Sequence, residues 1–302
     1  MKKYFWFFAS VIGYILSVAV QSAAYEPVLS TGRLQENINN RSLIILDIRK
    51  VEEYREGHIP GSISLTFTAW RTADADMGCQ LPMKDELEDK VCSMGADADS
   101  HVVIVGKTDR DEDRVNATRV AWTLRYAGIR NLSILDGGFN KWVKEGRPLS
   151  KKVSKRTKSD FRCGWNESVL ALKKDVVASC GCAGRGAILD TRPEAQFTGR
   201  IVCPSVKRKG RIPGAVNLPY SLVHGKEGIF ESRGTLQALA SQKIGDDRDR
   251  TIIVVCSNGQ FASAWWFALS EILGYGNVKI YDGAMEEWCC DQAAPLEGAP
   301  VQ

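Results

Sequence analysis

The chain has 302 residues, a formal net charge of +4, 44% hydrophobic residues and 25% charged residues. That length exceeds one typical domain and suits two, and the apolar-to-charged balance excludes a disordered chain and a protein of many membrane spans. So small a charge gives no footprint for a nucleic-acid partner.

The first element in chain order is an export signal. Lys2 and Lys3 precede an apolar run from Tyr4 to Val20, and small residues follow at Ser22, Ala23 and Ala24, where a signal peptidase would cut. Residues 1–24 are expected to be a secretory signal peptide, the alternative being an uncleaved anchor. The mature chain is then exported, to the periplasm, and has no membrane association after cleavage. Nine cysteines suit that oxidising compartment, where eight could form four disulfides and leave one thiol free.

Short apolar runs then alternate with amphipathic stretches. Leu43 to Leu46, Val102 to Val105 and Leu132 to Leu135 read as buried parallel strands in residues 25–150. Residues 151–162 begin with five cations in eight residues and no apolar periodicity, which predicts a solvated basic linker. Residues 163–302 repeat the pattern with Ala187 to Leu189, Ile252 to Val255 and Val278 to Tyr281. A buried helix is expected from about Ala262 to Leu273, stopped by Gly274.

The two halves share ordered motifs. Asp47-Ile48-Arg49 answers to Asp190-Thr191-Arg192, His58-Ile59-Pro60-Gly61 to Arg211-Ile212-Pro213-Gly214, and Asp136-Gly137-Gly138 with Trp142 to Asp282-Gly283-Ala284 with Trp288. This is an internal duplication of one α/β domain, each copy a parallel sheet flanked by helices. The second copy holds an insertion of about ten residues that includes the basic cluster Lys207 to Arg211. That cluster is either a solvated loop or a border of the site that steers an anionic substrate.

The candidate chemistry sits where Cys256 ends a predicted strand and opens the turn Ser257-Asn258-Gly259-Gln260-Phe261. Backbone N–H groups of such a turn form an anion-binding nest, and a helix start adds positive potential. Both are expected to lower the thiol pKa and favour a nucleophilic thiolate. A phosphatase of related fold would need an arginine six residues after the cysteine, and position 262 is alanine.

This order of motifs, Asp-x-Arg, Ile-Pro-Gly, strand-Cys-x-x-Gly and Asp-Gly-x-x-x-x-Trp, resembles the rhodanese family of sulfurtransferases over essentially the whole mature chain. The resemblance implies that Cys256 carries a persulfide, needs no organic cofactor, and passes sulfur from a small anionic donor to a thiol, cyanide or protein acceptor. It gives Arg192 a place in donor binding, although Arg49 recurs at the same position of the first copy and allows a structural ion pair equally. With Arg211, the loop Ser257, Asn258, Gly259, Gln260 and Phe261 completes the expected substrate site. Gly106 stands near the cysteine position of the first copy, which makes that domain catalytically silent. The uncharged loop is unlike the cationic loops of thiosulfate-using members and nearer to mercaptopyruvate-using ones.

Two other readings stay open: a non-enzymatic oxyanion- or partner-binding module in the periplasm, and thiol-disulfide exchange through Cys180 and Cys182. Cys79 and Cys92, alone in the first half, are expected to pair with each other, and the vicinal Cys289 and Cys290 to have separate partners. His58, His101 and His224 lack metal-ligand spacing, and no metal is predicted.

Overall fold

The computed structural model describes residues 25–72, 78–97, 99–181 and 187–298; the expected signal peptide and Cys182 fall outside them. The first domain has strands β1 (Val28–Leu29), β2 (Leu43–Asp47), β3 (Ile63–Ser64), β4 (His101–Val105) and β5 (Asn131–Leu135), in the order β1-β5-β4-β2-β3. The second repeats this with β6 (Leu170–Ala171), β7 (Ala187–Asp190), β8 (Val216–Asn217), β9 (Ile252–Val255) and β10 (Val278–Tyr281), in the order β6-β10-β9-β7-β8. All pairings in both sheets are parallel. The expected α/β fold, two domains each with a parallel sheet flanked by helices, is thus what the chain adopts, with five strands in each sheet.

The six strands anticipated from Val, Ile and Leu runs are those with apolar residues on both faces, and β2, β7 and β9 are buried along their whole length. Helices cover both faces, so these runs lack the alternation of a half-wet strand. The helix expected from Ala262 forms as an α-helix over Ala262–Phe267, widens to π geometry over Ala268–Leu273 and ends at Gly274 with φ +81°. Its first eight residues are buried.

That burial comes from the other domain. The Asp111–Tyr126 helix of the first domain lies against the Ala262 helix, and one apolar cluster containing Val115, Trp122, Trp265 and Phe267 runs through both domains. Polar groups fix the seam: Thr118 and Ser263 hydroxyls lie 2.8 Å apart, and Arg125 pairs with Glu271 at 2.6 Å. The aspartates of the repeated Asp-Gly motifs also cross it. Asp136 accepts from the Phe230 amide at 3.0 Å, and Asp282 accepts from the Leu81 amide at 2.8 Å.

Residues 151–162, expected as a solvated basic linker, are mostly exposed and are also anchored to the first domain. They form no helix or strand, but His58 Nε2 meets the Lys152 carbonyl, Arg156 donates to the carbonyls of Leu43 and Arg41, and Lys158 pairs with Asp89. Their cations therefore tie the segment to the first domain, although no apolar pattern announces it.

Among the described residues the expected Cys79–Cys92 disulfide does not form. Cys79, Cys92, Cys163, Cys203, Cys256, Cys289 and Cys290 are free thiols. Cys79 and Cys92 do not pair because different structure claims each: Arg119 binds the Cys79 carbonyl at the domain seam, while Cys92 Sγ donates to the Phe161 carbonyl under the connecting segment. Cys289 Sγ faces the Arg208 carbonyl at 3.7 Å, and Cys290 is exposed. The parity of nine cysteines therefore does not select Cys256. Its surroundings do.

Candidate active site

Cys256 follows β9 directly, and Gly259 makes the tight return. Its φ of +85° lies in the left-handed region, which brings its N–H to 3.1 Å from Cys256 Sγ. The backbone amides of Ala262, Asn258 and Phe261 also favour the charged form of the same sulfur. The anticipated nest is formed, but its electrostatic outcome differs from the expectation. Cys256 is wholly buried, and burial pushes its pKa up to about 11 although the four amides pull the other way.

The sign of that shift gives a pH dependence. A thiol that holds its proton more tightly in the native state stabilises it below the ordinary thiol pKa, and loses that contribution as pH rises through about 11. Alkylation of Cys256 is accordingly expected to keep accelerating from pH 9 towards pH 11. A rate already level in the neutral range would contradict this, and the measurement is the pH profile of iodoacetamide labelling at that residue.

The loop side chains are held from both domains. Gln260 Nε2 donates to Asn116 Oδ1 at 2.7 Å, Ser257 Oγ donates to Gln196 at 3.1 Å, and Phe261 packs on Tyr220 with centroids 4.5 Å apart. Arg119 of the first domain, wholly buried, donates to the Gly259 carbonyl at 3.2 Å and pairs with Asp282 at 2.6 Å. Burial opposes the Arg119 charge, but the Asp282 carboxylate more than offsets it and holds the guanidinium pKa above its ordinary value. Sequence reasoning missed Arg119 and Asn116, which lie in the middle of a helix of the presumed silent domain and carry no motif.

No room is left at Gly259. A Cβ there would meet the Asp282 carbonyl oxygen and Oδ1, both at 2.8 Å, and Arg119 Nη1 at 3.3 Å. Gly259→Ala is therefore expected to cost more than the ~1–2 kcal/mol of left-handed strain alone and to withdraw the amide from Sγ. Thermal unfolding checks the first effect, and Cys256 labelling the second. Ala284 has a φ of +53° where the first domain has Gly138 at +58°, and from this strained turn the Met285 amide bonds the Cys256 carbonyl.

A cavity of about 230 Å³ opens at this turn. Cys256, Ser257, Asn258 and Phe261 line it with Arg192 and Gln196, while Glu112 from the first domain, Cys203 and Tyr220 form further wall. Arg192 is spoken for: it makes a two-pronged pair with Asp190 and donates to the Gly210 carbonyl, as Arg49 does with Asp47 and the Gly57 carbonyl. Its repetition in both domains marks a structural ion pair that in the second also borders the cavity.

Arg211 is placed elsewhere. It pairs with Glu297 at 3.2 Å and stacks over Phe197, and it is not part of the cavity wall. Arg208 likewise binds the carbonyls of Asp291 and Ala294. The basic cluster fastens the C-terminal segment, and the insertion meets the cavity through Cys203 instead. In the first domain, Gly106 occupies the place after β4 that Cys256 occupies after β9, beside a cavity of about 670 Å³.

The rhodanese-like domain profile matches residues 30–145 and 172–290. The chain belongs to the rhodanese-like family. The sulfur carrier protein TtuD of Thermus thermophilus is 29% identical over 288 residues, covering 91% of this chain and 96% of its own. Thiosulfate sulfurtransferase of Gallus gallus is 30% identical over 239 residues, covering 78% and 80% respectively. Among solved structures, the 3-mercaptopyruvate sulfotransferase SseA of Escherichia coli superposes with a TM-score of 0.73 at 26% identity, over 86% of this chain and 98% of SseA. With these relatives and this fold, the rhodanese-family chain is a sulfurtransferase, with a sulfur donor and a sulfur acceptor as its substrates.

Proposed function

We propose that this sulfurtransferase works by double displacement on Cys256. The Cys256 thiolate attacks the outer sulfur of a small anionic donor, and the bond from that sulfur to the rest of the donor breaks with its electron pair on the departing group. The resulting persulfide then gives the sulfur to a thiol, cyanide or protein acceptor. The observation that carries this reading is the Gly259 amide held 3.1 Å from one wholly buried sulfur, in a turn whose neighbouring amides also favour its charged form. Such an array is strongest for an anion in a water-poor site, and a persulfide, the weaker base, holds its charge there more readily than the thiol does. No organic cofactor takes part, and the first domain, with Gly106 at the equivalent place, acts by shaping and holding the loop.

The donor follows from charge. The loop 257–261 has no cation, Arg192 is neutralised by Asp190, and Glu112 adds a carboxylate to the wall. Dianionic thiosulfate and polysulfide gain little from such a cavity, so mercaptopyruvate, a monoanion while its thiol is protonated, is expected to load the protein fastest. Cyanide-removable sulfur on the purified chain, after incubation with each of the three, measures this. No sulfur from any of them would overturn the double displacement, and fastest loading by thiosulfate would overturn the charge argument. The same reading has the chain exported by the segment Lys2 to Ala24, so that protein recovered from cells begins at Tyr25 by mass; retention of Met1 would refute cleavage.

A further inference from the structure

Two cysteines line one cavity. Cys256 is wholly buried at its floor, while Cys203 lies on its wall, only partly buried, with Sγ 3.4 Å from Ser205 Oγ. Of the other free thiols, Cys79, Cys92, Cys163, Cys289 and Cys290 do not line this cavity. A space of about 230 Å³ admits a small donor or cyanide but not the chain of a protein acceptor, so a sulfur held on Cys256 is out of a protein's reach. Cys203 is not. It belongs to the insertion that the first domain lacks, and beside it Ile201 and Val202 are 53% and 41% exposed, an apolar step on which a protein could settle.

We infer that Cys203 is a relay thiol: it takes the sulfane sulfur from the Cys256 persulfide and presents it to a macromolecular acceptor. This rests on the persulfide reading above and adds to it the route by which sulfur leaves. The persulfide bond carries the outer sulfur about 2 Å beyond Sγ of Cys256, into the space that Cys203 borders. The Cys203 thiolate attacks that outer sulfur in its protonated form, Cys256–S–SH. A new sulfur–sulfur bond forms on Cys203, the old one breaks, and its electron pair stays on Cys256 as thiolate, giving Cys203–S–SH. One sulfur changes thiols and no oxidant or reductant is consumed. The acceptor thiol repeats the same exchange at the rim.

The test uses the full chain loaded with potassium polysulfide, freed of excess donor, blocked with an alkylating agent and mapped by peptide mass. In the wild type, extra sulfur is expected on both Cys256 and Cys203, and in Cys256→Ser on neither. Cys203→Ser is expected still to take sulfur on Cys256 and to release that sulfur to cyanide. Its transfer to reduced thioredoxin, used as a bulky thiol probe, is expected to fall by about tenfold or more. Three results would overturn the relay. They are unchanged transfer to thioredoxin in Cys203→Ser, sulfur on Cys203 of Cys256→Ser, and a Cys203–Cys256 disulfide with release of hydrogen sulfide, which would make Cys203 a terminating thiol. Absence of sulfur on Cys256 of the wild type would overturn the persulfide reading itself, so the two failures are told apart.

Discussion

Arg119→Met is expected to destabilise the protein by about 3–5 kcal/mol, the range for removing one partner of a buried ion pair. Arg119 lies in the first domain, has no solvent exposure, and bonds Asp282, the Gly259 carbonyl and the Cys79 carbonyl. Methionine fills much of the volume and leaves the Asp282 carboxylate, in a residue 6% exposed, with the Leu81 amide as its hydrogen-bond donor across the seam. Most of the cost is that stranded carboxylate, so Arg119→Met combined with Asp282→Leu is expected to recover a large part of it. Urea unfolding of both variants checks the pair. A single variant within about 1 kcal/mol of wild type would show that the ion pair does not hold the domains together. Sulfur loading is expected to slow as well, since the Gly259 carbonyl loses the donor that fixes the turn under Sγ.

Cys256→Ser is expected to lose sulfur loading completely while leaving the fold in place. The hydroxyl accepts the same amides as the thiol, from Gly259 and its neighbours, so unfolding should shift by no more than about 1 kcal/mol. A hydroxyl cannot bear a sulfane sulfur, and nothing else on the cavity floor can take its role. Loss of loading with an unchanged melting curve assigns the chemistry to the side chain. Loss with a collapsed curve would assign the residue to packing instead.

Much of the fold was legible because duplication and burial leave strong marks. β9 and β10 match their Val- and Ile-rich runs residue for residue, since strands covered on both faces are mostly apolar, the half-buried Lys279 of β10 being the exception. β1, β3, β6 and β8 have two residues each and carry no period to read. At the site, Cys256 and the turn were visible from strand, glycine and helix in series, and the thiol's raised pKa was not, because burial depends on a helix supplied by the other domain. Arg119, Asn116 and Glu112 share that origin. Arg211 was misplaced for a different reason: its partner, Glu297, lies in the C-terminal segment, where no sequence pattern signals a return to the second domain. The cysteine count misled at Cys79 and Cys92 because one lies at the domain seam and the other under the connecting segment.

The central claim is that sulfur enters this protein at Cys256 and nowhere else. Its most direct test is the intact mass of wild type and Cys256→Ser after incubation with polysulfide, before and after cyanide. The wild type is predicted to gain the mass of sulfur and lose it to cyanide, and Cys256→Ser to gain none. Cyanide-removable sulfur on Cys256→Ser in the amount found on wild type would contradict the claim.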